Sequence, residues 1–151
     1  MHQLPYLDPR DLDTIAESSE TWLPERSIAG IVSAVMIDLT LDGLHRMRAL
    51  RASIGVLEGR MDREPQAVEA EQILEARNEL LLLGSMVGDQ LPALTALGAI
   101  DKPYFKMKDA RQYMACALAN LQAVDGSLTW LDQRITALRV GFEMRAQDKT
   151  N

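Results

Sequence analysis

The residues near the C-terminus alternate apolar and polar positions with the spacing of a long helix. Apolar residues recur there at alternating steps of three and four, whereas a strand repeats every second residue. This row, the main seam, consists of Met107, Ala110, Met114, Ala117, Leu121, Val124, Leu128, Leu131, Ile135, Leu138 and Phe142. The spacing predicts a single helix over residues 107–146 that packs against partner helices.

The same predicted helix carries another row of mostly small and apolar residues at the same spacing. This second row consists of Cys116, Ala119, Ala123, Gly126, Trp130, Gln133, Ala137, Val140 and Met144. A helix with two apolar rows has neighbours on two sides. We therefore predict that the second row, apart from Gln133, forms an interface with a protein partner or with another copy of the chain. A short N-terminal helix of the same chain is the alternative cover for Trp130.

Similar patterns upstream predict two more long helices. The predicted helix over residues 24–60 is apolar on several sides in its first half, and its second half has a single apolar row. Residues 65–89 include four consecutive leucines at 80–83, which point all round a helix and are expected inside the bundle or at an interface. For residues 1–23, the pattern predicts an N-terminal arm that contains a short helix. Residues 90–106, with two prolines, predict a connector.

Short connections between long helices favour antiparallel neighbours. The predicted fold is therefore all-α: an antiparallel bundle of three long helices plus a short N-terminal helix, in a single domain over residues 1–151. Folding the first two long helices into a hairpin is expected to bring Arg46 near Glu79 and Arg51 near Glu75.

Composition narrows the functional classes. The chain is 47% hydrophobic and 25% charged, which is typical of a globular protein, and its net charge of −6 argues against nucleic-acid binding. A single cysteine fits a reducing compartment. The longest apolar run, 28–37, is shorter than the roughly 20 residues of a membrane-spanning helix. We expect a protein of the cytoplasm, or of an assembly built there, that does not bind membranes.

The sequence shows no motif that specifies catalysis. It contains no glycine-rich phosphate loop, no zinc-ligand spacing and no serine elbow. Asp38, Asp42 and His45 share one helix face, but a dinuclear carboxylate site in a bundle usually needs a second histidine from another helix. We therefore expect no enzymatic activity, no cofactor and no bound metal.

The residues that follow His45 suggest an alternative. Arg48 lies three positions later, Ala49 four, and Ile54 and Gly55 nine and ten. The arrangement resembles, over about a dozen residues, the motif around the phosphorylated histidine of histidine-phosphotransfer domains, in which Lys-Gly stands where this chain has Arg48 and Ala49. The resemblance implies a phosphorelay module with His45 as phosphoacceptor and with Arg48 and Ser53 beside it.

The function expected from the sequence is nevertheless non-catalytic. Two apolar rows on one long helix favour a helical-bundle subunit that oligomerises or binds a protein partner. Within a larger assembly, the chain is expected to serve as a virion or tail component, a secretion accessory or a chaperone-like adaptor.

Overall fold

The computed structural model of the chain describes residues 27–106 and 110–151. Within these ranges there are three long α-helices and two short strands. The helices are α1 (Ile28–Arg63), α2 (Ala70–Gly98) and α3 (Arg111–Thr150), and the strands are β1 (Asp101–Lys102) and β2 (Phe105–Lys106). A short 3-10 helix, Pro65–Ala67, lies between α1 and α2. The all-α class is confirmed, whereas the predicted N-terminal helix lies outside the described residues.

The described residues belong to two compact units. The first takes its residues from within Met1–Leu41 and Leu91–Asn120, and the second consists of Asp42–Gln90 and Leu121–Asn151. Each long helix contributes one stretch of sequence to each unit. The prediction of a single domain over residues 1–151 stays a prediction.

The start of α1 is set by a serine cap. The helix begins at Ile28, and the backbone N–H of Gly30 donates a hydrogen bond of 3.0 Å to Oγ of Ser27. A side-chain oxygen at this position satisfies one of the N–H groups that the first helical turn leaves without a partner. The predicted start at Pro24 is therefore wrong for α1, and the helix also continues past residue 60 to Arg63.

The first part of the predicted connector over residues 90–106 is helical, so that prediction is wrong there. Helix α2 continues through Pro92 to Gly98, although residues 90–106 were expected to leave the helix. Val87 and Leu94 are both buried, and they lie seven residues apart on either side of the proline. Buried residues therefore lie on both sides of Pro92 in sequence, and their burial helps to offset the backbone hydrogen bond that proline cannot make.

The remainder of the predicted connector is a small antiparallel hairpin. Strand β1 pairs with β2, with Asp101 opposite Lys106 and Lys102 opposite Phe105. The side chain of Phe105 is buried, whereas the neighbouring Tyr104 is exposed. The hairpin therefore buries one of its aromatic residues and exposes the other. The sequence pattern did not indicate this hairpin.

The first unit has a core that includes buried hydroxyl groups. Thr40 donates to a backbone carbonyl of its own helix, that of Met36 at 2.8 Å or that of Ile37 at 3.0 Å. Its oxygen also accepts a hydrogen bond of 3.2 Å from Nδ2 of Asn120 on α3. Ser33 donates to the carbonyl of Ala29 at 2.7 Å. These bonds satisfy polar groups that would otherwise be costly to bury.

The second unit has an apolar core to which all three helices contribute. Its buried side chains are Met47, Leu50, Ile54, Leu57 and Met61 of α1, Val68, Ile73, Ala76, Leu80, Leu83 and Val87 of the 68–90 segment, and Leu121, Val124, Leu131, Ile135 and Leu138 of α3. The α3 members all belong to the main seam. The predicted packing of three helices in a bundle-like core is therefore confirmed, as is the role of the main seam within it.

Candidate functional site

The second row lies on the solvent-exposed side of α3. Each of its members, from Cys116 to Met144, is exposed in this chain. The large apolar members are Trp130, Val140 and Met144, which are 43%, 45% and 61% exposed. Its role as an interface stays a prediction, and the N-terminal helix considered as alternative cover lies outside the described residues.

Trp130 is not isolated on this surface, because two arginines lie over its ring. The guanidinium carbon of Arg134 is 4.5 Å from the ring centroid, and that of Arg51 is 5.0 Å away. Arg134 is four residues along α3 from Trp130 and shares its face, whereas Arg51 comes from α1. A guanidinium at this distance is attracted to the negative face of the indole. Trp130 therefore links α1 and α3 within the second unit.

Trp130, Arg51 and Arg134 form a cluster with Glu58, which pairs with Arg134. Nε of Arg134 donates to Oε1 of Glu58 at 2.7 Å, and Nη2 donates to Oε2 at 2.6 Å. This two-pronged geometry is the strong form of a carboxylate–guanidinium pair. The hydrogen bonds from Arg134 hold the pKa of Glu58 below its ordinary value, and the same bonds raise the pKa of Arg134. Both groups are therefore charged at neutral pH.

The cluster lines a groove of about 560 Å³ between α1 and α3, here called the arginine–tryptophan groove. Its lining residues are Arg48, Arg51, Ala52, Glu58, Trp130 and Arg134. Three guanidinium groups thus face a single carboxylate. Within the described part of the chain, neither Arg48 nor Arg51 makes an ion pair. The groove is positively charged, although the chain as a whole carries a net charge of −6.

Another groove, of about 470 Å³, lies between α1 and α2. Here the predicted proximity of Arg46 and Glu79 is confirmed. Nε of Arg46 donates a hydrogen bond of 2.9 Å to Oε1 of Glu79, and Nη2 donates one of 3.3 Å to Oε2. The predicted proximity of Arg51 to Glu75 is wrong. Arg51 lines the groove on the α3 side of α1, whereas Glu75 lines the groove on the α2 side.

The three residues of the alternative phosphoacceptor site lie at different places on α1. His45 is exposed and lines neither groove, Arg48 lines the arginine–tryptophan groove, and Ser53 lines the α1–α2 groove. The structure therefore does not gather them in one groove. An exposed histidine is nevertheless accessible to a partner, so the phosphorelay role stays a prediction.

Helix α2 exposes leucines on its outer surface. Of the four consecutive leucines, Leu80 and Leu83 are buried, whereas Leu81 and Leu82 are 61% and 53% exposed. By length and composition alone, α1 and α2 are both apolar enough to cross a membrane, with mean hydropathies of 1.5 and 1.4 over their most apolar windows. Only 39% and 22% of those windows are buried. The expectation that the protein does not bind membranes stays a prediction.

Trp130 could be predicted from its row, but the charged residues around it were not predicted. The step of four from Trp130 to Arg134 was a usable signal, because residues at that spacing are neighbours on a helix. The contributions of Arg51 and Glu58 depend on how α1 lies against α3, which no local spacing records.

No site for a metal ion emerges among the residues that the structure describes, since no three His, Cys, Asp or Glu side chains are grouped to hold one. Compared with known proteins, the chain matches no family model, no curated protein and no solved structure.

Proposed function

We propose that the protein is a non-catalytic helical-bundle subunit that joins a larger assembly through the second row of α3, where it contacts a protein partner or another copy of itself. The supporting observation is that this row remains exposed, whereas most of the main-seam residues that the structure describes on the same helix are buried. Within the second unit, the exposed apolar side chains of Trp130, Val140 and Met144 lie on one side of α3, and exposed apolar patches are typical of interaction surfaces. The assembly is expected in the cytoplasm, without a role for membrane or nucleic acid.

The composition of the second row suits close contact with another helix. Ala123 and Gly126 precede Trp130 in the row and have little side-chain bulk, and a Cβ added at Gly126 would meet nothing within 4 Å. Tryptophan and arginine are the residues that most often dominate the energetics of protein interfaces. Trp130 with its two stacked arginines is therefore the proposed energetic centre of the interface.

The proposed architecture for this subunit is an antiparallel bundle with α2 running against α1. Two neighbouring pairs in the second unit support it: Gly43 lies near Met86, and Arg46 lies near Glu79. As the position on α1 rises, the position on α2 falls, which is the register of antiparallel helices. The main seam of α3 completes the bundle.

The single cysteine offers a direct test. Cys116 belongs to the second row and is exposed in this chain, so assembly should slow its reaction with a maleimide in the complex isolated from native cells. Ala123→Glu should restore fast labelling, because it places a charge in the middle of the interface. Gln122→Glu adds the same charge at the neighbouring exposed position and should leave labelling slow. Equal labelling rates in all three proteins would refute the proposal.

A phosphorelay role for His45 is the alternative proposal. It is supported by the exposure of His45 and by Arg48, which makes no ion pair among the residues that the structure describes. A cation three residues away would stabilise a phosphoryl group on the imidazole. This alternative predicts an acid-labile phosphoryl group that is lost in His45→Gln, with assembly unchanged. Absence of any phosphoryl group on the native protein in cells with active phosphorelays would argue against it.

A further inference from the structure

We infer that the arginine–tryptophan groove binds an acidic segment of a partner protein, one that presents two carboxylates on a single face of a helix. This inference rests on the proposed function, because it names the chemistry of the partner that covers Trp130. The groove holds three guanidinium groups and one carboxylate, and the carboxylate of Glu58 is already paired with Arg134. The groove therefore retains the charge of two arginines that have no carboxylate partner among the described residues.

The geometry of these two arginines favours carboxylates on a helix. Arg48 and Arg51 are three residues apart on α1, so they are neighbours on one face of it. A partner helix with glutamates three or four residues apart repeats that separation. Each guanidinium presents a planar fork of N–H donors that matches a carboxylate. Because Arg51 lies over Trp130, stacking restricts its side chain before the ligand arrives and reduces the entropy lost on binding.

The surroundings favour an acidic protein over a nucleic acid. A nucleic acid is a long polyanion that would be repelled by a chain of net charge −6 beyond the groove. A protein helix carries only local charge, and its apolar side chains gain contact with Trp130, which is 43% exposed. The second row continues this apolar surface toward Val140 and Met144.

The probe is a short alanine-based helical peptide with one leucine and two glutamates three residues apart, labelled with fluorescein. The matched control peptide has glutamines in place of the glutamates. The chain has two tryptophans, so a Trp22→Phe background leaves Trp130 as the only tryptophan that reports binding. Emission of Trp130 and anisotropy of the peptide are followed together in the full-length chain.

The glutamate peptide should change the Trp130 emission saturably and bind at least about tenfold more tightly than the glutamine peptide, as charge-assisted hydrogen bonds require. Arg51→Gln and Arg48→Gln should each weaken binding by about tenfold. Arg77→Gln, which alters an exposed arginine of α2 outside the groove, should have no effect. Circular dichroism verifies that each variant keeps its helices.

Equal binding of both peptides, or no saturation at millimolar peptide, would overturn the inference. Tighter binding of a single-stranded oligonucleotide than of the glutamate peptide would also overturn it. So would a wild-type chain that forms a dimer through the groove and excludes the peptide. If the peptide fails while Ala123→Glu still releases Cys116 for labelling, the acidic partner is wrong and the proposed assembly stands. If both experiments fail, the proposed function fails as well.

Discussion

Arg134 of α3 holds Glu58 of α1 with both arms of its guanidinium group, at 2.7 and 2.6 Å, while the same group lies over the ring of Trp130. One side chain therefore ties two helices together and also shapes the groove that we propose as a binding site. Since a stacked guanidinium keeps its N–H edge available, the ion pair and the cation–π contact do not compete.

The Glu58–Arg134 pair makes a pH-dependent contribution to stability. The folded protein lowers the pKa of Glu58, so the contribution is fully present above the unfolded pKa of about 4.3 and is lost as the pH falls through the lower, folded pKa. Glu58→Gln should reduce the free energy of unfolding at pH 7 by at most about 1 kcal/mol, because the Glu58 side chain is 38% exposed and solvent screens the pair.

Urea denaturation at neutral pH and in acid checks this expectation. Glu143→Gln is the control, because Glu143 forms only a longer, exposed pair of 3.8 Å with Arg139. The difference between wild type and Glu58→Gln should shrink as the pH is lowered. A difference that grows in acid would show that the pair is not the cause.

Two leucines of α2 provide a contrast between core and surface. Leu83 is fully buried in the second unit, whereas Leu81 is 61% exposed. Leu83→Ala should lower the free energy of unfolding by about 3 kcal/mol, since it removes buried methyl groups and leaves a cavity. Leu81→Ala should change it by no more than about 0.5 kcal/mol. Similar losses for both variants in urea denaturation would contradict the assignment of the buried face of α2.

A substitution at Gly126 should affect stability and assembly in opposite directions. A Cβ added there meets nothing within 4 Å in this chain, so Gly126→Ala should stabilise α3 by about 0.5–1 kcal/mol through helix propensity. The same Cβ would obstruct a partner helix that approaches the second row closely, and so should weaken assembly. Gly59→Ala, on α1 outside the second row, should stabilise the chain and leave assembly unchanged.

Thermal unfolding and the mass of the isolated complex report these two effects separately. A Gly126→Ala variant that assembles as well as Gly59→Ala would show that no helix backbone approaches the second row at this point.

The apolar surfaces of α1 and α2 call for a test against membranes. α1 supplies a core face to the second unit and carries Asp38 and Asp42, and a charged aspartate costs about 2.5–3.5 kcal/mol at the centre of a membrane-spanning helix. The purified chain should therefore remain at the bottom of a flotation gradient with vesicles of neutral and anionic phospholipids. Flotation that Leu81→Glu abolishes would instead assign the exposed leucines to lipid.

The sequence predicted the features that depend on spacing along one helix. The main seam of α3 was identified with its buried members Leu121, Leu131 and Ile135, because apolar periodicity reports directly on burial. The pair of Arg46 with Glu79 followed from a hairpin with a short connection. Both depend on local geometry or on a constrained turn.

Other features depend on energies that local patterns do not contain. Helix α2 continues through Pro92 with Leu94 buried beyond it, and tertiary burial of this kind opposes the helix-breaking tendency of proline. The partner of Arg51 is decided by the register of α1 against α3, which are separated by the whole of α2 in sequence. Helical spacing therefore predicts the place of Trp130 in the second row, but it does not predict the charged side chains that surround it.

In the proposed assembly, another protein surface covers the second row of α3. Size-exclusion chromatography with light scattering, applied to the complex from native cells, tests it most directly. The wild-type mass should exceed the 16.8 kDa of one chain, and Trp130→Ala or Ala123→Glu should bring it down toward that value with helicity retained. A wild-type mass of 16.8 kDa, or an unchanged larger mass in both variants, would contradict the claim.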